Sequence, residues 1–93
     1  MKLAYSKQAI AGLSRLRAFI AEKDPAAAQR VGLELIQRLD KLRLHPQMGH
    51  PVVLAPNPDT IRDAIFGKYI ARYSIHTETV LILQIWHHYE NRE

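Results

Sequence analysis

Residues 61–88, IRDAIFGKYIARYSIHTETVLILQIWHH, decide the fold. Three runs, Ile61–Phe66, Tyr69–His76 and Val80 to about His87, are rich in β-branched and aromatic residues. Gly67-Lys68 and Thr77-Glu78-Thr79 separate them, which predicts a three-stranded antiparallel meander. Register then fixes the faces, because a slip of one residue turns every side chain over. A three-residue second loop pairs His76 with Val80, Ser74 with Ile82, Arg72 with Gln84 and Ile70 with Trp86. It gathers Leu81, Leu83 and Ile85 with Tyr69, Ala71, Tyr73 and Ile75 beneath the helices. A two-residue loop scrambles that separation, so the longer loop is expected. The first turn leaves two registers open. A tight Gly67-Lys68 turn sets Asp63 opposite Arg72 as a cross-strand ion pair. One residue more sets Arg62 opposite Arg72, an arrangement that suits only an intervening anion such as phosphate.

Upstream, the pattern changes period. Lys2–Tyr5 reads as a short edge strand and Ser6 as a helix N-cap. A helix follows to about Lys23, with Ile10, Leu13, Leu16 or Arg17, and Ile20 recurring at threes and fours and Phe19 widening the stripe. Gln8, Ser14, Arg15 and Glu22 take the other face. Asp24 caps a second helix with Pro25 at its first position. Val31, Leu35, Leu39 and Leu42 share one of its faces. With almost no connection between them, the helices should form an antiparallel hairpin. His45-Pro46 ends the second one. Pro46 to Thr60 reads as a loop, with Val52-Val53-Leu54 its one apolar run and no lysine or arginine from Gln47 onward.

The expected class is α+β: an N-terminal strand, an antiparallel helical hairpin and a three-stranded antiparallel meander, with the helices on one face of the sheet. Ninety-three residues suit a single domain spanning 1–93, since domains run from roughly 50 to 200 residues. At 47% hydrophobic and 24% charged, the chain has the make-up of a folded protein. It has no cysteine, which excludes disulfides and thiolate metal sites. Neither a signal-like apolar region nor a bilayer-spanning stretch is present, so the expectation is a cytoplasmic protein without a membrane partner. A net charge of +4 favours an acidic partner surface or a nucleic acid.

The segment Trp86-His87-His88-Tyr89-Glu90-Asn91-Arg92-Glu93 concentrates polar and aromatic groups. Histidine and tyrosine can move protons, and arginine can stabilise a pentacoordinate phosphate, which together suffice for metal-free RNA cleavage by 2′-hydroxyl attack. Each residue also has an ordinary use. Histidines near a chain end are more often solvated or packing groups, Trp86 more often covers a sheet, and Tyr69 and Tyr73 fit a core. His87 and His88 are consecutive, so a strand sends them to opposite faces, against their sharing one metal. No cofactor and no metal are expected.

Residues 61–73 and 80–88, with His45-Pro46-Gln47-Met48-Gly49-His50-Pro51 after the helices, resemble the closing meander and the proline- and glycine-containing turn of RelE/ParE toxins. The element order resembles that family along nearly the whole chain. The resemblance implies the toxin of a type II toxin–antitoxin module, held in check by a cognate, acidic antitoxin. It also implies two competing targets. RelE-like members cleave messenger RNA on the ribosome, a role that would fall to Arg62, Arg72, His88 and Tyr89. ParE-like members disable DNA gyrase and need no ribonuclease site. RelE-type ribonucleases place lysines about where the Gln47–Thr60 loop has none, so the balance favours the gyrase target, somewhat closer to ParE. Whether the protein is an enzyme stays open; if it is, it is a metal-independent endoribonuclease. A third possibility is an inactive binding module that acts with its antitoxin.

Overall fold

In a computed structural model, which describes residues 1–57 and 60–88, five strands form one sheet in the order β1-β5-β4-β3-β2. The elements are β1 (Lys2–Tyr5), α1 (Lys7–Ala21), α2 (Pro25–Asp40) with a 3-10 turn at Lys41–Arg43, β2 (His50–Pro51), β3 (Ile61–Phe66), β4 (Tyr69–Ile75) and β5 (Thr79–His87). The class is α+β, with both helices against the sheet. No described helix is long and apolar enough to cross a membrane.

Both helices start where their caps predict. The Ser6 hydroxyl accepts the Ala9 N–H at 3.0 Å, and the Asp24 carboxylate accepts that of Ala27 at 3.1 Å, with Pro25 next in line. The buried face of α1 departs from the expected stripe. Ala9, Gly12 and Leu16 are buried, whereas Ile10 and Phe19 are 55% and 51% exposed. The reason lies at Gly12, where a Cβ would come within 2.5 Å of the Ile85 carbonyl oxygen. The helix therefore approaches β5 through Ala9 and Gly12, with Leu16 buried as expected, and close approach decides that Ile10 and Phe19 stay outside. On α2, Leu35 and Leu39 are buried as expected, and so is Leu42 in the 3-10 turn, joined by Ala28 and Gly32. The core closes between these and Ala64, Phe66, Ala71, Tyr73, Val80, Ile82 and Ile85.

Two features of the sheet correct the expectation. First, β2 adds a strand inside what reads as a loop: His50 pairs with Asp63 and Pro51 with Arg62. Two residues, one of them a proline, are tolerated because this is the sheet's edge. Second, the β4–β5 turn is tight. The His76 N–H bonds the Thr79 carbonyl, and Ile75, Ser74 and Tyr73 pair with Val80, Leu81 and Ile82. A bulge then leaves Leu83 without a partner, and beyond it Arg72 faces Gln84 and Ile70 faces Trp86. The expected pairs His76 with Val80 and Ser74 with Ile82 are therefore replaced, and Val80 and Ile82, not Leu81 and Leu83, fill the core. The two pairs beyond the bulge stand as expected. The Leu83 carbonyl accepts a 2.7 Å hydrogen bond from the Ser6 hydroxyl, so the residue that caps α1 also satisfies the bulged strand.

Candidate functional site

The first hairpin resolves the register left open by the sequence. Gly67 adopts φ +63°, a left-handed conformation open to glycine, and the turn is the tight one. Asp63 faces Arg72, and Arg62 faces Tyr73. The two arginines thus lie on opposite sides of the sheet, and the phosphate-straddling arrangement does not form.

On the side away from the helices, Arg72 is fixed in two directions. Its Nε and Nη2 donate to the two Asp63 carboxylate oxygens at 2.8 and 3.0 Å. Its guanidinium also lies 5.4 Å from the centroid of the Trp86 ring, within reach of a cation–π contact. The hydrogen bonds it donates to Asp63 raise the pKa of Arg72 still further, so its charge is permanent. That charge is already matched by a bidentate carboxylate, the strongest geometry for the pair. Trp86 is 8% exposed beneath it, and Gln84 lies across from it.

On the helix side, Arg62 donates from Nη1 to the Gly49 carbonyl at 2.8 Å. The Tyr73 phenol next to it accepts the Gly49 N–H at 3.0 Å and donates to the Pro46 carbonyl at 2.6 Å. Burial pushes the Tyr73 pKa up, so the phenol keeps the proton that the Pro46 bond requires. The group clamps the 46–49 turn to β4, and Gly49 is needed there because a Cβ would fall 2.7 Å from the phenol oxygen. Arg62 and Tyr73 therefore serve a loop anchor, and Tyr73 is buried in the core as expected. The same clamp presents a bare apolar tip, with Val53 and Leu54 at 80% and 96% exposure.

Of the four residues singled out for RNA cleavage, Arg62 and Arg72 are thus parted, and His88 lies exposed in the turn after β5, its N–H bonded to the Lys68 carbonyl. Tyr89 lies outside the described residues. His87, not among those four, sits on the helix side with Tyr69 edge-on to it at 5.5 Å between centroids and Phe19 tilted at 6.4 Å. Only the contact with Phe19, expected as a buried helix residue, could have flagged it, and that contact is tertiary.

Comparison with known proteins supplies the identity. The fold is shared with a chain from the chromosomal ParDE toxin–antitoxin system of P. aeruginosa, which superposes with a TM-score of 0.79 at 16% sequence identity, covering 94% of this chain and 95% of that one. The family profile described as the ParE toxin of the type II toxin–antitoxin system, parDE, matches residues 3–92. Toxin RelE1 of Caulobacter vibrioides is 37% identical over 82 residues, which make up 85% of this chain and 84% of that protein. The chain belongs to the ParE toxin family, within the RelE/ParE superfamily of type II toxins.

Proposed function

We propose that this toxin arrests growth by disabling DNA gyrase, without cutting RNA, and that a cognate acidic antitoxin silences it. The observation that carries the choice is the Asp63–Arg72 pair. Cleavage by 2′-hydroxyl attack needs cationic donors aimed at the charge that grows on the phosphate. Here two donors of Arg72 are committed to a carboxylate, and that carboxylate would repel an approaching phosphate. Arg62 is turned to the other side of the sheet and holds the Gly49 carbonyl. The loop from Gln47 to Thr60 supplies no lysine or arginine that could stand in.

Support for the antitoxin is electrostatic and comparative. A chain of net charge +4 is complementary to an acidic partner, and the structural relative comes from a toxin–antitoxin system. The profile match over 3–92 supports reading residues 1–93 as one toxin domain. Both candidate targets are cytoplasmic, and this reading puts the toxin there too.

The decisive experiment runs a gyrase supercoiling assay beside a ribosome-dependent cleavage assay on the same purified toxin. Blocked supercoiling with intact messages is the expected result. Cleaved messages, with cleavage lost in Arg72→Ala or His88→Ala, would overturn the gyrase target. No effect in either assay, together with undisturbed growth on expression without antitoxin, would identify a binding module.

A further inference from the structure

A second surface, at the end of the sheet where the β3–β4 turn meets the helices, combines cations and rings differently. Three observations define it. Lys23 places its ammonium 5.9 Å from the centroid of Phe19, a ring half exposed on α1. Phe19 leads through His87 to Tyr69, so three rings from α1, β5 and β4 meet in a stepped shelf, tilted by 50° at the first contact and edge-on at the second. Tyr69 also lines a shallow depression of about 90 Å³ between α2 and the turn, whose rim carries Arg38 and Lys68. The Arg38 guanidinium reaches over the turn itself, with Nη1 3.8 Å from where a Cβ on Gly67 would stand.

Lys23, Arg38 and Lys68 make no ion pair among the described residues, although Glu34 shares the rim. They are exposed and arranged around the ring shelf. We propose that this end of the molecule binds a single-stranded segment of nucleic acid, with Lys23, Arg38 and Lys68 on phosphates and the Phe19–His87–Tyr69 shelf against bases. Cations interleaved with aromatic faces are what an unpaired strand asks for, since every nucleotide brings a phosphate and a π-face. An acidic peptide would use the cations and leave the half-exposed Phe19 without purpose. The inference stands apart from the choice of target, because gyrase and the ribosome both work on nucleic acid.

The test is fluorescence anisotropy of the purified full chain with a labelled twelve-nucleotide oligothymidylate. A duplex of the same length and a labelled oligoglutamate are run in parallel. Three phosphate contacts predict that log affinity falls against log salt with a slope of about −2, at roughly −0.7 per contact on a single strand. Lys68→Gln, Arg38→Gln and Lys23→Gln should each flatten the slope by about 0.7. Phe19→Leu should weaken binding at least about fivefold at constant slope, because it removes stacking and no charge. Arg30→Gln and Lys7→Gln, outside the patch, should change nothing specific to the oligonucleotide. Absence of binding at low salt, or a slope untouched by the three glutamine variants, overturns the proposal. So does oligoglutamate binding with equal affinity and equal sensitivity to the variants, which would make the patch a site for acidic peptide. The glutamine variants sit on exposed side chains, so the test survives if Phe19→Leu misfolds.

Discussion

Arg72 over Trp86 and Lys23 over Phe19 are the same kind of cation–aromatic contact in two settings. On the outer sheet face the cation is locked, because the tight turn at Gly67 brings Asp63 directly across from Arg72 and β5 puts Trp86 alongside. At the turn end the cations come from the α1–α2 connection, from α2 and from the β3–β4 turn, and none of them forms an ion pair with a described carboxylate. The difference teaches that a cation–aromatic contact by itself assigns no function. What decides is whether the ladder supplies a counter-charge. In a sheet this is a matter of register; between helices and a turn it is a matter of packing.

Substitutions can break each half of this contrast, and the largest effect falls on the outer face. Trp86→Ala removes a nearly buried ring and should cost about 3 kcal/mol in urea denaturation. Phe19→Ala, at the half-exposed ring, should stay below about 1 kcal/mol. Equal costs would erase the distinction between a structural and an available ring.

Tyr73→Phe comes next. It leaves the Pro46 carbonyl and the Gly49 N–H without their partner, at a cost of about 1–3 kcal/mol. Its pH dependence sharpens the point. Burial raises the pKa of Tyr73 above the unfolded value of about 10, so the phenol's contribution is complete below that pH and is lost as pH rises through the folded pKa. Tyr5 and Tyr69, also raised by burial, act in the same direction. Alkaline destabilisation, followed by thermal melts above pH 10, should therefore shrink in Tyr73→Phe without vanishing; an unchanged alkaline limb would rule out the clamp.

Asp63→Asn is the most pointed test of the lock. The pair is partly solvent-exposed, so the loss should be at most about 1 kcal/mol and should diminish with salt. The variant should still leave ribosome-bound messages intact, because Arg62 stays on the far side of the sheet. Message cleavage by Asp63→Asn would mean that the carboxylate masks a ribonuclease site. The smallest change in stability belongs to Lys68→Gln, within about 0.5 kcal/mol, and a melting curve superimposable on the parent would show that the cation serves no structural purpose.

Much of this arrangement is legible in the chain. The switch from a three-to-four period to alternation, the caps at Ser6 and Asp24, and the glycine in the first turn set the elements and their order. The pairs Arg72 with Gln84 and Ile70 with Trp86 follow from the spacing of the last strands. Near the second turn the reading fails because a bulge is invisible in alternation: a tight loop and one unpaired residue at Leu83 give the same register at Arg72 as a longer loop. The buried face of α1 is legible only in part: Leu16 is buried and Leu13 packs on the core as expected, but hydrophobicity also favours Ile10 and Phe19, whereas close approach to β5 buries Ala9 and Gly12 instead.

The sequence by itself determined a basic α+β chain of the RelE/ParE type, because period, caps and turn residues are local properties of neighbouring side chains. Only the tertiary structure decided that Arg72 belongs to Asp63, that Arg62 anchors a loop on the opposite side, and that Phe19, Tyr69 and His87 meet. Those outcomes depend on register and on the approach of elements distant in sequence, which are set by how closely backbones can pack.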